Sequence, residues 1–498
     1  MKHRRLQIGL VFGILFFAAT ASSLADDEPL RVGVATVEIT PGDNYPMSGY
    51  YHERLSTGVK DPLQAKALVF RQGNQAAAMV VCDLIGIAAD LTAAVRKQVS
   101  EKTGIPAEQI MLSGTHSHTG PDYMKELFAL TTGRPIPKGT KPRDPYVPKL
   151  IDAIVSSITQ ADAAAGPVTL KTGTAQQETP VSFNRRFLMK DGKVRTWMNL
   201  QNPDVVHAAG PIDPEIGLVV FQSAADQSPL TILSSFALHL DTVGGTEFSA
   251  DYPFHLERTI REKLGTKTIS IFGTGCCGDI NHVDPSRPER NKADFIGASL
   301  GTTICNAVPQ LTAVESPRLQ VRRAVVHAPL QNSTAEQLAA SKSLLHEIRG
   351  GKPAEFFAHV DAYKRLILDG LRHSRDVDES MEELGWGLTS TLSGSGETLP
   401  LEVQVITLGR DVAIVALPGE VFVELGLAIK NASPFRTTLV IELSNVVETI
   451  YIPTRYAYVG GGYEVVNSML APGGGELLAE AAIALLSEAA LELQTPAK

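Results

Sequence analysis

The segment Gly114-Thr115-His116-Ser117-His118-Thr119-Gly120-Pro121 sets two imidazoles two residues apart, directly after an apolar, strand-like run, Gln109-Ile110-Met111-Leu112. In an extended backbone, residues i and i+2 face the same side, so both rings point one way. Neutral imidazole is the commonest metal ligand, and two on one side make half a zinc site. A catalytic zinc takes a few nitrogen or oxygen ligands and keeps one position open for water. His239, after Ser235-Phe236-Ala237-Leu238, and Glu420, after Ala416-Leu417-Pro418-Gly419, are of the right types to complete the set. Water on such a metal ionises near neutral pH and can attack an acyl carbon while the metal polarises the carbonyl oxygen. Hydrolysis of an amide or ester is the chemistry this set implies.

These residues share a position as well as a chemistry. His116, His239, Asp279 and Glu420 each follow a strand-like run, and Tyr451 follows Leu439-Val440-Ile441-Glu442-Leu443 and a short loop. Open α/β sheets bind ligands beyond the carboxyl ends of their strands, so distant segments can meet there. Each residue also has an ordinary structural reading. His239 alone fits a hydrogen-bonded core histidine, Glu420 can cap the helix after it, and Tyr451 and Tyr463 can be packing residues. Other metal families fit less well. The His-x-His-x-Asp-His pattern of metallo-β-lactamases would need Asp and His where Gly120 and Pro121 stand, and a barrel amidohydrolase needs more downstream histidines than His239, with His255 and His282 as weaker choices.

The elements that must carry these residues read as α/β, with mixed sheets flanked by helices. Strands are expected at Ala77 to Cys82, Leu230 to Leu233, Thr268 to Phe272 and Val412 to Ala416. Helices are expected from Leu91 to Lys102, from Pro253 to Leu264 with Ser249 or Asp251 opening and Gly265 closing it, and from Glu476 to Leu493. Residues 333–375 read as a helical insertion, with Ser333 and Glu336 spaced as a capping box and Pro353 opening a second helix. Asp376 to Pro400, rich in Ser, Gly and acidic residues, reads as a surface loop.

At 498 residues, 20% charged and with a net charge of −9, the chain can bury a large core and has no basic excess to suit nucleic acid. Residues 1–25 carry a basic start, Lys2-His3-Arg4-Arg5, an apolar stretch from Ile8 to Ala19, and Ser23-Leu24-Ala25 before two acidic residues. That is the pattern of a cleaved secretory signal, with an uncleaved membrane anchor as the rival reading, although the apolar run is short of the ~20 residues a span needs. A secreted or periplasmic protein is therefore expected, with 26–498 as one large catalytic domain. Cys82, Cys276, Cys277 and Cys305 have no C-x-x-C spacing, leaving buried thiols and bridges equally open.

Several ordered motifs together resemble the N-terminal catalytic domain of the neutral, non-lysosomal ceramidases, from about Leu30 to Val465. They are Ile39-Thr40-Pro41 with Met47-Ser48-Gly49-Tyr50, Thr115 to Pro121, Asn184-Arg185-Arg186, Phe236-Ala237-Leu238-His239, Gly278-Asp279, Leu417-Pro418-Gly419-Glu420, and Tyr451 with Gly462-Tyr463-Glu464. The resemblance implies a zinc amidase that cleaves the N-acyl bond of ceramide-like lipids by hydroxide attack on the acyl carbon. It implies His116, His239, Glu420 and Tyr451 as zinc ligands, with His118, Arg185 and Tyr463 lining the reacting amide. The implied partner is a lipid or another acyl amide, which allows peripheral membrane contact. The β-sandwich domain that follows in full-length ceramidases is expected to be missing, since the chain ends 35 residues after Tyr463. An esterase acting on another acylated substrate and a non-catalytic binding protein on the same fold are the competing expectations.

Overall fold

The computed structural model describes residues 28–133, 145–374 and 389–494. The signal expected at residues 1–25, and residues 376–388 of the expected surface loop, lie outside them. The larger sheet contains β1 (Arg31–Glu38), β2 (Gln64–Gln72), β3 (Gln75–Cys82), β4 (Ile110–Gly114), β5 (Gly166–Gln176), β6 (Glu215–Ser223), β7 (Pro229–Phe236) and β8 (Ile269–Thr274). Their order is β8-β7-β6-β5-β1-β2-β3-β4, and the short strand Thr312–Ala313 pairs with β5. Neighbours on this path are antiparallel apart from the pairs β3 with β4 and β7 with β8. The two ends of the path come together, with β8 lying against β3 and β4, so the sheet curls.

A smaller sheet runs β9 (Leu319–Pro329), β10 (Thr398–Leu408), β11 (Val412–Ala416) and β12 (Thr437–Ile441), of which only β11 and β12 are parallel. The five residues of β11 are all apolar and all buried, as expected of a strand covered on both faces. Phe70, Met111 and Phe221 of the larger sheet pack against Ile406, Ile414 and Leu439 of the smaller one.

Helices cover the outer faces. α1 (Ala89–Thr103) and α2 (Val147–Ala163) pack on one half of the larger sheet, where Leu91, Val95 and Val99 recur at helical spacing on the buried side. α2 comes so close to β1 that a Cβ on Gly33 would lie 1.8 Å from the Ala161 carbonyl oxygen, and only glycine permits that approach. α3 (Tyr252–Leu264) and α4 (Ala293–Ala307) cover the other half. Over the smaller sheet lie α5 (Ala335–Arg349), α6 (Phe356–His373), α7 (Val423–Ala432), the single turn α8 (Tyr463–Val466) and α9 (Gly474–Gln494). The expected mixed α/β class is what is found.

Two details of the expected helical hairpin shift. The capping box is Thr334 with Gln337, one residue later than Ser333 with Glu336, because it is the Thr334 hydroxyl that receives the Gln337 amide. The second helix is opened by Glu355, whose carboxylate accepts from Phe357 and Ala358, and not by Pro353. Asp251 caps α3 through its side chain, and Gly265 closes it. The described part of the expected 376–400 loop ends at Thr398, where β10 begins. All four cysteines are free and buried. Among the described residues no helix is long and apolar enough to cross a membrane.

Candidate active site

The curl of the larger sheet brings the loop after β4 against the end of β8, where the Thr274 hydroxyl donates to the Thr115 carbonyl at 2.8 Å. His116 follows with φ at 76°, the left-handed region that a non-glycine residue occupies at a cost of order 1–3 kcal/mol. Its Nδ1 donates to the Ile85 carbonyl at 2.6 Å, and the Nδ1 of His118 to the Gly49 carbonyl at 3.0 Å. A carbonyl oxygen only accepts, so each Nδ1 carries a proton, and in the neutral ring it is Nε2 that offers the lone pair. Those two Nε2 atoms lie 3.3 Å apart, and His239, beyond the end of β7, places its own Nε2 at 3.1 Å from each.

Glu420 enters from the smaller sheet, four residues past β11. Its Oε2 is 3.4 Å from His116 Nε2 and 4.0 Å from His239 Nδ1. The turn that brings it there needs Gly419, at φ 60°, where a Cβ would fall 2.0 Å from Thr449 Oγ1. Glu420 and Tyr451 are then direct partners in a two-residue parallel pair, Glu420–Val421 with Tyr451–Ile452. The stretch after β12 therefore delivers Tyr451 to the same cavity as Glu420, His116 and His118.

Tyr463, at the start of α8, stands edge-on to Tyr451 with ring centroids 5.6 Å apart. Arg185, expected beside the reacting amide, is not among the residues that line this cavity. It sits one layer back, its guanidinium carbon 5.4 Å from the Tyr451 ring centre, its Nε donating to Glu464 at 2.8 Å and a terminal nitrogen to the Gly278 carbonyl at 2.8 Å. Glu464 is fully buried and also accepts from Arg186 at 2.8 Å and from Thr196 Oγ1 at 2.9 Å. The motifs Asn184-Arg185-Arg186 and Gly462-Tyr463-Glu464 thus meet as one ion-paired support. Asp279 is likewise structural, accepting from the Val423 amide at 2.9 Å and Asn184 Nδ2 at 2.8 Å. His255 and His282 stay outside the histidine cluster.

The cavity in front of these groups has a volume of about 70 Å³, and five tyrosines, Tyr50, Tyr51, Tyr363, Tyr451 and Tyr463, form much of its wall. Burial shapes its electrostatics. It lowers His118 to about 4, against the pull of the Asp241 carboxylate, and burial with the neighbouring His116 ring holds His239 well below the ordinary range. Both rings are neutral at pH 7, the form that ligates a metal. Burial alone would raise the Glu420 carboxyl, but His116, Arg185 and His118 reverse this and hold it below the usual carboxylate range. Burial and the Glu420 charge push the Tyr451 hydroxyl well up.

These donors suit a metal ion. Glu420 Oε2 is buried without a hydrogen-bond partner, and three imidazole nitrogens converge beside it. A lone buried carboxylate oxygen facing three imidazole Nε2 atoms is a costly arrangement for a protein alone and a fitting one around a divalent cation. The sequence singled out neither Tyr51 nor Asn467, both of which line the cavity, nor Cys277, whose thiol lies 4.0 Å from His239 Nδ1 and donates to Glu442 at 3.0 Å. Tyr51 directly follows the Gly49-Tyr50 motif; nothing in the local pattern marks the other two.

Asp83 underlies the His116 loop, accepting from the Gln64 amide at 2.9 Å and from Thr115 Oγ1 at 3.3 Å. Burial raises its carboxyl to about 7. The folded state therefore holds a proton that the unfolded chain, with an ordinary value of about 3.9, releases earlier. Its contribution to stability is fully present below pH ~4 and is lost as pH rises through ~7. Unfolding midpoints in urea at pH 5 and 7.5 are expected to fall less for Asp83→Asn than for the unaltered chain; equal falls would show that Asp83 does not carry this slope.

Comparison with known proteins places this geometry. Residues 30–249 match the family described as neutral/alkaline non-lysosomal ceramidase, N-terminal, a span that holds His116, His118, Arg185 and His239. No curated protein matches the chain. Among solved structures, the neutral ceramidase from Pseudomonas aeruginosa is similar with a TM-score of 0.67 at 20% identity, over 93% of this chain and 75% of that one. A ceramidase complexed with C2 is similar with a TM-score of 0.66 at 18% identity, over 95% of this chain and 76% of that one. Glu420, Tyr451 and Tyr463 lie beyond the matched family span. The likeness read from the ordered motifs therefore holds: residues 30–249 match the neutral/alkaline ceramidase family, in a chain that has the neutral ceramidase fold.

Proposed function

We propose that this protein is a secreted, zinc-dependent hydrolase of N-acyl amide bonds, with ceramide-like sphingolipids as the first substrates to try. The observation that carries the reading is the convergence of three imidazole Nε2 atoms beside the partnerless Glu420 Oε2, with His116, His118 and Glu420 lining one tyrosine-walled cavity. Zinc held by His116, His239, Glu420 and Tyr451 would polarise the acyl carbonyl and bring the ionisation of water towards neutral pH.

The chain's own residues do the rest. Tyr463 donates its hydroxyl proton to the carbonyl oxygen as negative charge develops there, a contribution commonly worth on the order of 10²-fold in rate. His118 is neutral at working pH, so its Nε2 can take a proton from the attacking water and return it to the leaving amine. Arg185 acts through Tyr451 and Glu464, holding the first by its guanidinium face and the second by an ion pair.

The surroundings support an apolar acyl substrate. Trp197, Phe356 and Phe357 are 48%, 40% and 39% exposed, and the Trp197 and Phe356 rings lie 4.8 and 5.9 Å from that of Tyr463. A cavity of about 70 Å³ takes the scissile amide and its nearest carbons, so a long chain would lie along these aromatic rings. Exposed Trp and Phe at the mouth also suit peripheral contact with a lipid surface. With the signal read at residues 1–25, the reaction takes place outside the cytoplasm.

Zinc-loaded protein, offered ceramides, other N-acyl amines and soluble acyl esters and read by mass spectrometry, is expected to release free acid and amine from the amides. Turnover confined to soluble esters would overturn the N-acyl reading.

A further inference from the structure

Tyr463 is not isolated at the cavity wall. Asn467 lies one helical turn further on, its backbone amide donating to the Tyr463 carbonyl at 3.0 Å. Its side-chain Nδ2 donates to Tyr51 Oη at 2.7 Å and to Tyr463 Oη at 3.4 Å. The two phenol oxygens are themselves 3.5 Å apart. Tyr51 comes from the loop after β1, some four hundred residues earlier in the chain, and is boxed in edge-on by Phe356 and Tyr363 of α6, each at 5.7 Å between ring centroids.

We propose that Asn467 and Tyr51 are positioning residues that turn the Tyr463 hydroxyl proton into the cavity, towards the carbonyl oxygen of the substrate. An amide NH₂ only donates, so both phenol oxygens are acceptors towards Asn467 and neither proton points at it. The shorter bond, to Tyr51, occupies that oxygen as an acceptor and leaves its proton for the neighbouring Tyr463 oxygen. Tyr463 then accepts twice on the wall side, and its own proton is directed to the open side. A hydroxyl that accepts hydrogen bonds is a stronger donor, so the chain Asn467 to Tyr51 to Tyr463 both aims and strengthens the bond made to the developing oxyanion. This rests on the reading of Tyr463 as the donor to that oxygen.

The test uses the full zinc-loaded protein on one amide substrate, with Tyr463→Phe as the reference. Tyr463→Phe is expected to lower kcat by about 100-fold. Tyr51→Phe, which keeps the ring and removes the bond to Tyr463 together with the one from Asn467, is expected to lower kcat by roughly 5- to 10-fold with KM unchanged. Asn467→Asp keeps the shape but turns a donor into an acceptor that draws the Tyr463 proton back to the wall. It is expected to cost more than Asn467→Ala, while zinc content and thermal midpoint stay close to those of the unaltered chain. Tyr51→Phe should add nothing in a Tyr463→Phe background. Full kcat in Tyr51→Phe and Asn467→Asp beside a slow Tyr463→Phe would overturn the proposal and leave the function standing, as would multiplicative losses in the double variant. Full kcat in Tyr463→Phe, or an unaltered enzyme with no turnover of amides, would overturn the reading of the site and the proposal together.

Discussion

His116→Ala is expected to empty the site of zinc, from about one equivalent per chain to background, and to remove amide hydrolysis with it. His116 carries the heaviest commitment of the backbone: it is held at φ 76°, its Nδ1 is fixed on the Ile85 carbonyl, and its Nε2 lies 3.4 Å from the otherwise partnerless Glu420 Oε2. Loss of an outer partner that merely orients a ligand costs 10- to 100-fold in metal affinity, and loss of the ligand itself should cost more. His239→Ala is expected to behave in the same way. His118→Ala is the informative contrast, because its Nε2 lies 3.1 Å from His239 and 3.3 Å from His116, as close as a third ligand would be. If His118 handles protons, its loss leaves the zinc in place and lowers kcat. Elemental analysis of the three variants decides the matter: a full equivalent of zinc in His116→Ala would sink the ligand assignment, and loss of zinc from His118→Ala would make all three histidines ligands.

The largest effect on stability is expected from Glu464→Ala. This carboxylate is wholly buried between the guanidinium groups of Arg185 and Arg186, which are themselves 4% and 3% exposed. Truncating it strands two cations away from water, and removal of one partner from a buried pair costs about 3–5 kcal/mol. Burial alone would raise the Glu464 carboxyl, but the two guanidinium charges hold it below its ordinary range, as expected of an anion the fold depends on. The same change frees the Arg185 head behind Tyr451, so activity should fall even at temperatures where the variant is folded. Urea unfolding measures the first effect. A shift below about 1 kcal/mol, the range of exposed pairs, would show that the arginines find other partners.

The helical hairpin shows the scale at which local signals work and where they stop. Its two helices follow from composition and periodicity, yet the cap moves from Ser333 to Thr334, since neighbouring Ser and Thr are chemically equivalent and only the path of the chain selects between them. Pro353 carries a local preference for a helix start, but Glu355 offers two carboxylate oxygens to the amides of Phe357 and Ala358, and the helix begins there. Arg185 was legible as part of a motif but not as a residue behind Tyr451, because its partner Glu464 lies 279 positions away. Tyr51 and Asn467 were invisible for the same reason: a phenol and an amide 416 residues apart carry no shared pattern.

By itself the sequence determined the chemical inventory: an imidazole pair on a strand-end loop, a third histidine, a carboxylate after a Pro-Gly turn, tyrosines near the end, and α/β elements able to present them. Such features are local, since periodicity, turn residues and side-chain type are each written within a few positions. Convergence was left to the tertiary structure. β4 and β7 sit far apart along the strand order, and their loops meet only because the sheet curls until β8 touches β3 and β4, while the smaller sheet brings in Glu420 and Tyr451 across the packed core. That curl is the sum of many small strand twists and of helix and sheet packing on its two faces, a cooperative property that no single segment encodes.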